Sequence, residues 1–505
     1  MNRPIRAVAV TSMVIFAALM VNLSYLYVGQ QNYLNERPEN RRVADARFAQ
    51  DRGPIMVGNS PIAKSAPVKD RYKFQRSYAS GELYAQITGY YSYLYRTSAL
   101  EASYSSQLSG VDDSQFVSRL LESATGATPR GATLETTINA KAQKAAWNGL
   151  DGRKGAVVAI DYSTGAIKAL VSFPSYDPND LATHDVAAST EAWKRLNADP
   201  DRPLSNRATR EIYPPGSTFK VVTAAAALDA GMSPDSLVDA TAYKLPGSTK
   251  VISENCGGAK ITLTHALEVS CNPAFARLGV KLGQEALRTQ AEKFGFGTRF
   301  LDEVGSAASR FPEEPDRAQT AMSAIGEFEV AASPLQMALV SASIAHGGVL
   351  MDPYLVDRVL DNDLRVTSQT RPQQQSVAMS AENAAALRQM MVSVVENGTG
   401  FRAQIPGVTV GGKTGTAHSD NVRRPYAWFT AWAEDPQVAV CVFIQDAEIP
   451  TNDIGGGRVA AWLLELHQHQ GNTVHEQGDI EPPVVQEALH PHLLHGQQII
   501  VRRIS

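Results

Sequence analysis

The sequence predicts an α+β fold: one antiparallel sheet carrying helical layers, preceded by a smaller module and one membrane-spanning segment. Three observations predict it. Short runs rich in β-branched and aromatic residues flank turn residues at both ends of the region 131–470, at 157–160 with 167–171 and at 428–433 with 438–444. Ala-rich stretches at helical spacing fill the interval between them. An uncharged run opens the chain at 7–27. Strands at both sequence ends with helices between them argue for one antiparallel sheet carrying helical layers.

Composition bounds the alternatives. The 505 residues suggest about three compact units. At 44% apolar and 19% charged, the chain is neither collagen-like, coiled-coil nor wholly disordered. A net charge of −4 offers no basic surface for nucleic acid. Three cysteines, Cys256, Cys271 and Cys441, cannot build a disulfide framework or a four-thiolate zinc site.

The elements follow in chain order. Arg3 and Arg6 precede the uncharged residues 7–27, which at 1.5 Å each reach about 30 Å, enough to cross a hydrocarbon core. Tyr25 and Tyr27 fall where an interfacial aromatic belt sits, and the arginines keep the short tip cytoplasmic, so the bulk is exported. A cleaved signal peptide is the alternative, but the run ends Ser24-Tyr25-Leu26-Tyr27-Val28, without a small-x-small site. Residues 1–28 are therefore read as tip and anchor. Residues 29–130 read as a membrane-proximal module: a charged stretch to Arg52, a segment holding Tyr84, Tyr90, Tyr91, Tyr93 and Tyr95 that packs between elements, and a small-residue linker at 123–131.

The larger domain spans 131–470. Helices are expected at 140–150, 218–230, 273–294, 334–345 and 381–395, and a strand at 408–417. Ser163-Thr164-Gly165 and Asp435-Pro436 mark two hairpin turns. Cys441 sits in an apolar run as a small hydrophobe, whereas Cys256 and Cys271 either pair or stay as buried thiols. Residues 471–505 form a polar tail whose His490-Pro491-His492 reads as solvated surface.

Three segments carry chemistry. In Tyr213-Pro214-Pro215-Gly216-Ser217-Thr218-Phe219-Lys220, two prolines and a glycine stop short of an alanine run, so Ser217 falls at a helix N-terminus and Lys220 one turn on. Serine needs a base. A lysine serves only if its pKa falls from about 10.4 toward 7–8, which burial and the positive helix end both promote. In Ser270-Cys271-Asn272-Pro273, the proline fits a first helical position with Asn272 as cap, and a hydroxyl and an amide project from one interhelical turn. In Gly411-Gly412-Lys413-Thr414-Gly415-Thr416-Ala417, alternation puts Lys413 and Gly415 on one face and Thr414 and Thr416 on the other. The glycines leave room for an extended substrate along the strand. Residues 407–414 also match a Walker spacing, but Val408-Thr409-Val410 is strand-forming and Gly415 breaks the helix a phosphate loop requires.

Ser-x-x-Lys, Ser-x-Asn and Lys-Thr-Gly in this order resemble the penicillin-binding proteins and serine β-lactamases. Arg52-Gly53-Pro54-Ile55, Ser172-Phe173-Pro174-Ser175-Tyr176-Asp177-Pro178-Asn179 and Pro334-Leu335-Gln336-Met337-Ala338 are similar to the class B, monofunctional members. The membrane-proximal module most resembles that of the actinobacterial penicillin-binding protein A group.

The resemblance implies a transpeptidase-like antiparallel sheet with helices on both faces, and a peptidoglycan D,D-transpeptidase that is a β-lactam target. It implies Ser217 as nucleophile, Lys220 as its base, and Ser270 as proton relay. Asn272 would bind the substrate amide and help fix Lys220. Lys413, Thr414, Gly415 and Thr416 would bind substrate, with Lys413 and the two threonines on the terminal carboxylate. The N–H groups of Ser217 and Thr416 would form an oxyanion hole. It implies no metal and no cofactor. The partners expected are stem peptides, β-lactams, the membrane through residues 7–27, and a lipid-II glycosyltransferase or other division proteins. A β-lactamase or D,D-carboxypeptidase with the same site, and a non-catalytic sensor or division scaffold, stay in competition.

Overall fold

The computed structural model describes residues 3–30, 33, 45, 48–112, 130–417 and 425–447. The tail from 471, with its His490-Pro491-His492, and the linker at 123–129 lie outside them. An apolar helix, Arg3–Ser24, opens the chain and continues as a wider turn over Tyr25–Gly29. Its mean hydropathy is 2.0 over the best window, and none of that window is buried against protein.

The main sheet has five strands in the order Val410–Ala417, Tyr426–Ala433, Val438–Ile444, Gly155–Asp161, Ile167–Phe173, every neighbour antiparallel. Both expected hairpins form, and the two sequence ends meet where Val438–Ile444 pairs with Gly155–Asp161. Helices cover both faces. Val157, Ala159, Val440 and Val442 pack toward the helix Ala140–Leu150, while Val158, Ile160, Cys441 and Phe443 join the cluster containing Pro334–Ala345 and Lys220–Asp229. This two-sided burial explains why the central strands read as continuous apolar runs rather than alternating ones. Cys441 is fully buried among them, as expected.

Two helical expectations need correction. The stretch 273–294 is two helices, Asn272–Leu282 and Gln284–Lys293, broken where Gly283 takes φ +87°. The segment after the two prolines begins as a 3₁₀ turn, Gly216–Phe219, and becomes α-helical only at Lys220.

The membrane-proximal part holds a second sheet. Ile55–Val57, Ser60–Pro67 and Phe74–Tyr78 form antiparallel neighbours, and Ile55–Val57 pairs in parallel with Thr133–Thr136. Val356–Leu360 and Val366–Gln369 extend the same sheet beyond Thr133–Thr136. A boundary at residue 130 therefore does not separate the sheets, because the later chain returns to complete the earlier one.

A buried ion cluster holds this region. Glu101 accepts from Arg52 Nε at 2.9 Å on one oxygen, and from Arg76 Nε at 2.6 Å and Tyr78 OH at 3.1 Å on the other. Burial alone would push the Glu101 carboxyl up, but the Arg76 and Arg52 guanidiniums outweigh it and hold it below the usual carboxylate range. The two domains are joined by Asn179, whose side chain accepts from Tyr78 N and donates to Tyr78 O, both at 2.9 Å. The tyrosine-rich segment packs as expected. Tyr95 stacks on Trp193 at 4.2 Å between centroids, and Tyr90 meets Tyr176 edge-on.

Glu101→Ala strands two buried guanidiniums without their anion. It is expected to lower the unfolding free energy by about 3–5 kcal/mol in denaturant titrations, against less than about 1 kcal/mol for the exposed Arg195–Asp180 pair.

Candidate active site

The turn that carries Ser217 is shaped by its glycine. Pro214 and Pro215 end the preceding chain, and Gly216 takes φ +52°. A Cβ on Gly216 would lie 2.5 Å from Thr416 O, so only glycine lets the turn lie this close to the edge strand Val410–Ala417. Ser217 follows, half-buried, in the wall of a cleft of about 330 Å³. Lys220 is the first α-helical residue after it and is fully buried.

Ser270 lies between the helices Leu263–Glu268 and Asn272–Leu282, as the sequence predicts, with its backbone at φ +58°. A non-glycine residue reaches that region only when its surroundings hold it there. Asn272 departs from expectation. It is the first helical residue, and the cap position falls to Cys271. Its amide instead spans two neighbours: Oδ1 accepts from Lys220 Nζ at 2.6 Å, and Nδ2 donates to Glu254 Oε1.

One hydroxyl ties the wall together. Ser270 Oγ lies 3.1 Å from Lys220 Nζ and 3.0 Å from Lys413 Nζ. Lys220 Nζ also donates to Ser270 O at 2.5 Å, and Lys413 Nζ to Thr414 O at 2.9 Å. Thr414 Oγ1 lies 2.8 Å from Thr399 Oγ1. Both lysines are fully buried. Burial, reinforced by the Lys413 charge, holds the Lys220 amine well below the lysine range, against the upward pull of the Glu254 and Glu327 carboxylates. Burial also brings Lys413 down, to about 7.

The hydrogen bonds are satisfied with one charge. Ser270 O and Asn272 Oδ1 can only accept from Lys220, so they take the two N–H groups of a neutral amine. The remaining lone pair can face a hydroxyl proton. Lys413, as an ammonium, can then donate to the Ser270 oxygen while the Ser270 proton points to Lys220.

All eight sequence-predicted residues converge. Ser217, Ser270, Asn272, Thr414, Gly415 and Thr416 line the cleft, and Lys220 and Lys413 lie buried behind it. Two details differ from expectation. Lys220 Nζ is hydrogen-bonded to Ser270 and Asn272, and no hydrogen bond joins it to Ser217 Oγ. The space left by Gly415 is filled by the protein itself: a Cβ there would lie 2.8 Å from Thr218 Cγ2 and 2.9 Å from Pro215 O. The eight-residue pairing of Val410–Ala417 with Tyr426–Ala433 leaves no helix for a phosphate loop. Sequence reasoning missed Glu254, Glu327 and Thr399 in the cleft wall. It left the cysteines open, and the structure pairs Cys256 with Cys271, the middle residue of the Ser270–Asn272 tripeptide. No group of three or more metal-ligating side chains occurs among the described residues.

Residues 155–465 match the family described as penicillin binding protein transpeptidase domain, and residues 52–134 match the penicillin binding protein A dimerisation domain. The chain is 41% identical over 478 residues to the peptidoglycan D,D-transpeptidase PbpA of Mycolicibacterium smegmatis, covering 91% of this chain and 97% of that one. The Mycobacterium tuberculosis protein of the same name is 40% identical over the same coverage. Among solved structures, the imipenem acyl-enzyme complex of penicillin-binding protein A from M. tuberculosis superposes with a TM-score of 0.80 at 39% identity, covering 83% of this chain and 99% of that one. Its penicillin G acyl-enzyme complex gives 0.78 at 39% identity, covering 84% and 100%.

Lys413 makes stability depend on pH. Its folded pKa, about 7, lies below the ordinary 10.5. Between those values the unfolded chain binds a proton that the folded chain lacks, so stability rises with pH across the window and levels off below about 7. One such proton contributes a slope of about 1.4 kcal/mol per pH unit. Lys413→Met is expected to remove about that much slope in denaturant titrations between pH 7.5 and 9.5.

Proposed function

The chain belongs to the penicillin-binding protein transpeptidase family, and from that premise we infer that Ser217 is the residue acylated in its reaction. The enzyme is a peptidoglycan D,D-transpeptidase and a β-lactam target. Ser217 Oγ attacks the penultimate D-Ala carbonyl of a stem peptide, D-Ala leaves, and the acyl group passes to an amine of a neighbouring stem. A β-lactam opens on the same oxygen as a substrate mimic. The observation that carries the assignment is Ser270 Oγ shared between two buried lysines in the wall that also holds Ser217.

Lys220, neutral in its buried setting, is the base for Ser217. To take that proton it exchanges one of its present oxygens for Ser217 Oγ, which starts one helical turn away. Ser270 then passes a proton to the departing amine and recovers one from the entering amine, with Lys413 stabilising the hydroxyl's oxygen between transfers. Thr414 and Thr416 hold the substrate carboxylate beside the Lys413 charge. The N–H groups of Ser217 and Thr416 bind the oxyanion, a contribution that typically reaches roughly 10²–10³ in rate per donor. Asn272 holds Lys220 through Oδ1, and Nδ2, which gives one N–H to Glu254, keeps its second N–H for the substrate.

The apolar helix Arg3–Ser24 anchors the enzyme in the membrane. Arg3 and Arg6 place its tip in the cytoplasm and the catalytic domain outside. The Cys256–Cys271 disulfide supports that orientation, because such bonds persist in oxidising compartments. A lipid-II polymerase or another division protein is the proposed partner of the membrane-proximal domain. The hydrolase and scaffold alternatives lose to the near full-length match with proteins named D,D-transpeptidases.

Ser217→Ala is expected to abolish labelling by a fluorescent penicillin with the far-UV spectrum unchanged; persistent labelling would move the nucleophile elsewhere. Lys220→Ala is expected to slow acylation by roughly 10²–10⁴. A near-normal rate in stopped-flow measurements would assign the base to another group.

A further inference from the structure

Glu254 lies in the cleft wall on the irregular segment between the strands Val251–Ile252 and Lys260–Thr262. Its two carboxylate oxygens receive two donors from one residue: Asn272 Nδ2 on Oε1, and the Asn272 backbone N–H on Oε2 at 3.3 Å. Two residues further on, Cys256 is bonded to Cys271, which directly precedes Asn272. The segment carrying the carboxylate is thus covalently fastened beside the residue it grips.

We propose that Glu254 is a positioning residue for the transpeptidase site, fixing which end of the Asn272 amide faces Lys220. An asparagine amide offers a donor end and an acceptor end of nearly equal shape. An ionised carboxylate only accepts, so Glu254 takes the NH₂ end and turns Oδ1 toward Lys220 Nζ. Without it the amide can turn over and present N–H groups to an amine that must give up its own. The carboxylate also adds a negative charge near Lys220. The other charged groups acting on that amine are Lys413, on the edge strand, and Glu327, on the loop after Gly326. Glu254 is exposed, so its charge is screened by solvent and the geometric role is the larger one.

The proposal rests on the Ser217 and Lys220 reading above. Failure of that reading would appear in the unaltered enzyme as a penicillin adduct mapped to another residue, before any Glu254 variant is made. The test is the pH profile of the second-order acylation rate with a penicillin for the full chain in detergent, comparing Glu254→Ala and Glu254→Gln with the parent. Saturating penicillin is expected to label one equivalent of each variant, which shows that both are folded. For Glu254→Ala the plateau rate is expected to fall about tenfold, the effect of losing one hydrogen bond to a charged group. Its ascending limb is expected to move to lower pH, because Lys220 loses a neighbouring anion. Glu254→Gln, which keeps an acceptor for Nδ2 but no charge, is expected to show the same limb shift with a smaller fall in plateau. An unchanged profile in Glu254→Ala would overturn the proposal. So would a Glu254→Gln plateau as low as that of Glu254→Ala, because the retained acceptor would then do nothing to hold the Asn272 amide.

Discussion

Two fully buried lysine amines share one serine hydroxyl in the wall of the cleft, and they cannot both carry charge at little cost. That constraint organises the wall of the cleft. A buried ammonium costs several kcal/mol unless its donors are met. Here Lys413 has Thr414 O and Ser270 Oγ, and Lys220 has Ser270 O, Ser270 Oγ and Asn272 Oδ1. In the proposed assignment one proton is too few for two ammoniums, and the pair holds a basic amine next to a general acid. Acyl transfer needs both, in alternation, as one amine leaves and another enters.

The surrounding fold serves to keep that hydroxyl in place. Ser270 adopts a left-handed backbone between two helices, and the disulfide at Cys271 pins the turn from its far side. The edge strand is held against the turn that carries Ser217 at two glycines, Gly216 and Gly415, each filled from the opposite element. Lys413 arrives on that strand, Lys220 on the buried helix, and Ser270 from the helical layer. Three separate parts of the chain therefore meet within 3.1 Å of one oxygen. Displacing any one of them breaks the count of donors and acceptors for the other two.

Much of this was legible in the sequence, and what was not shares a physical cause. The hairpins around Ser163-Thr164-Gly165 and Asp435-Pro436, the helix Ala140–Leu150 and the placement of Ser217 before an alanine run follow from local periodicity and turn chemistry. The motif residues could be assembled because their order and spacing resemble a known family. Glu254, Glu327 and Thr399 gave no such signal. An acidic or hydroxyl side chain in an irregular segment looks like any solvated residue until the fold brings a partner to it. Asn272 was misread as a cap for a related reason: the local explanation was sufficient, and only the distant Lys220 and Glu254 override it. The return of Val356–Leu360 to pair with Thr133–Thr136 joins residues more than two hundred positions apart, and neither strand advertises its neighbour.

The charge state of the two amines is open to direct observation. In protein carrying ¹³Cε-labelled lysine, with the two resonances assigned by their loss in Lys220→Arg and Lys413→Arg, an NMR titration reads each amine separately. The account predicts that Lys413 titrates near 7 and that Lys220 is already neutral where Lys413 still holds its proton, while exposed lysines titrate near about 10.4. Both resonances titrating with the exposed lysines would contradict it.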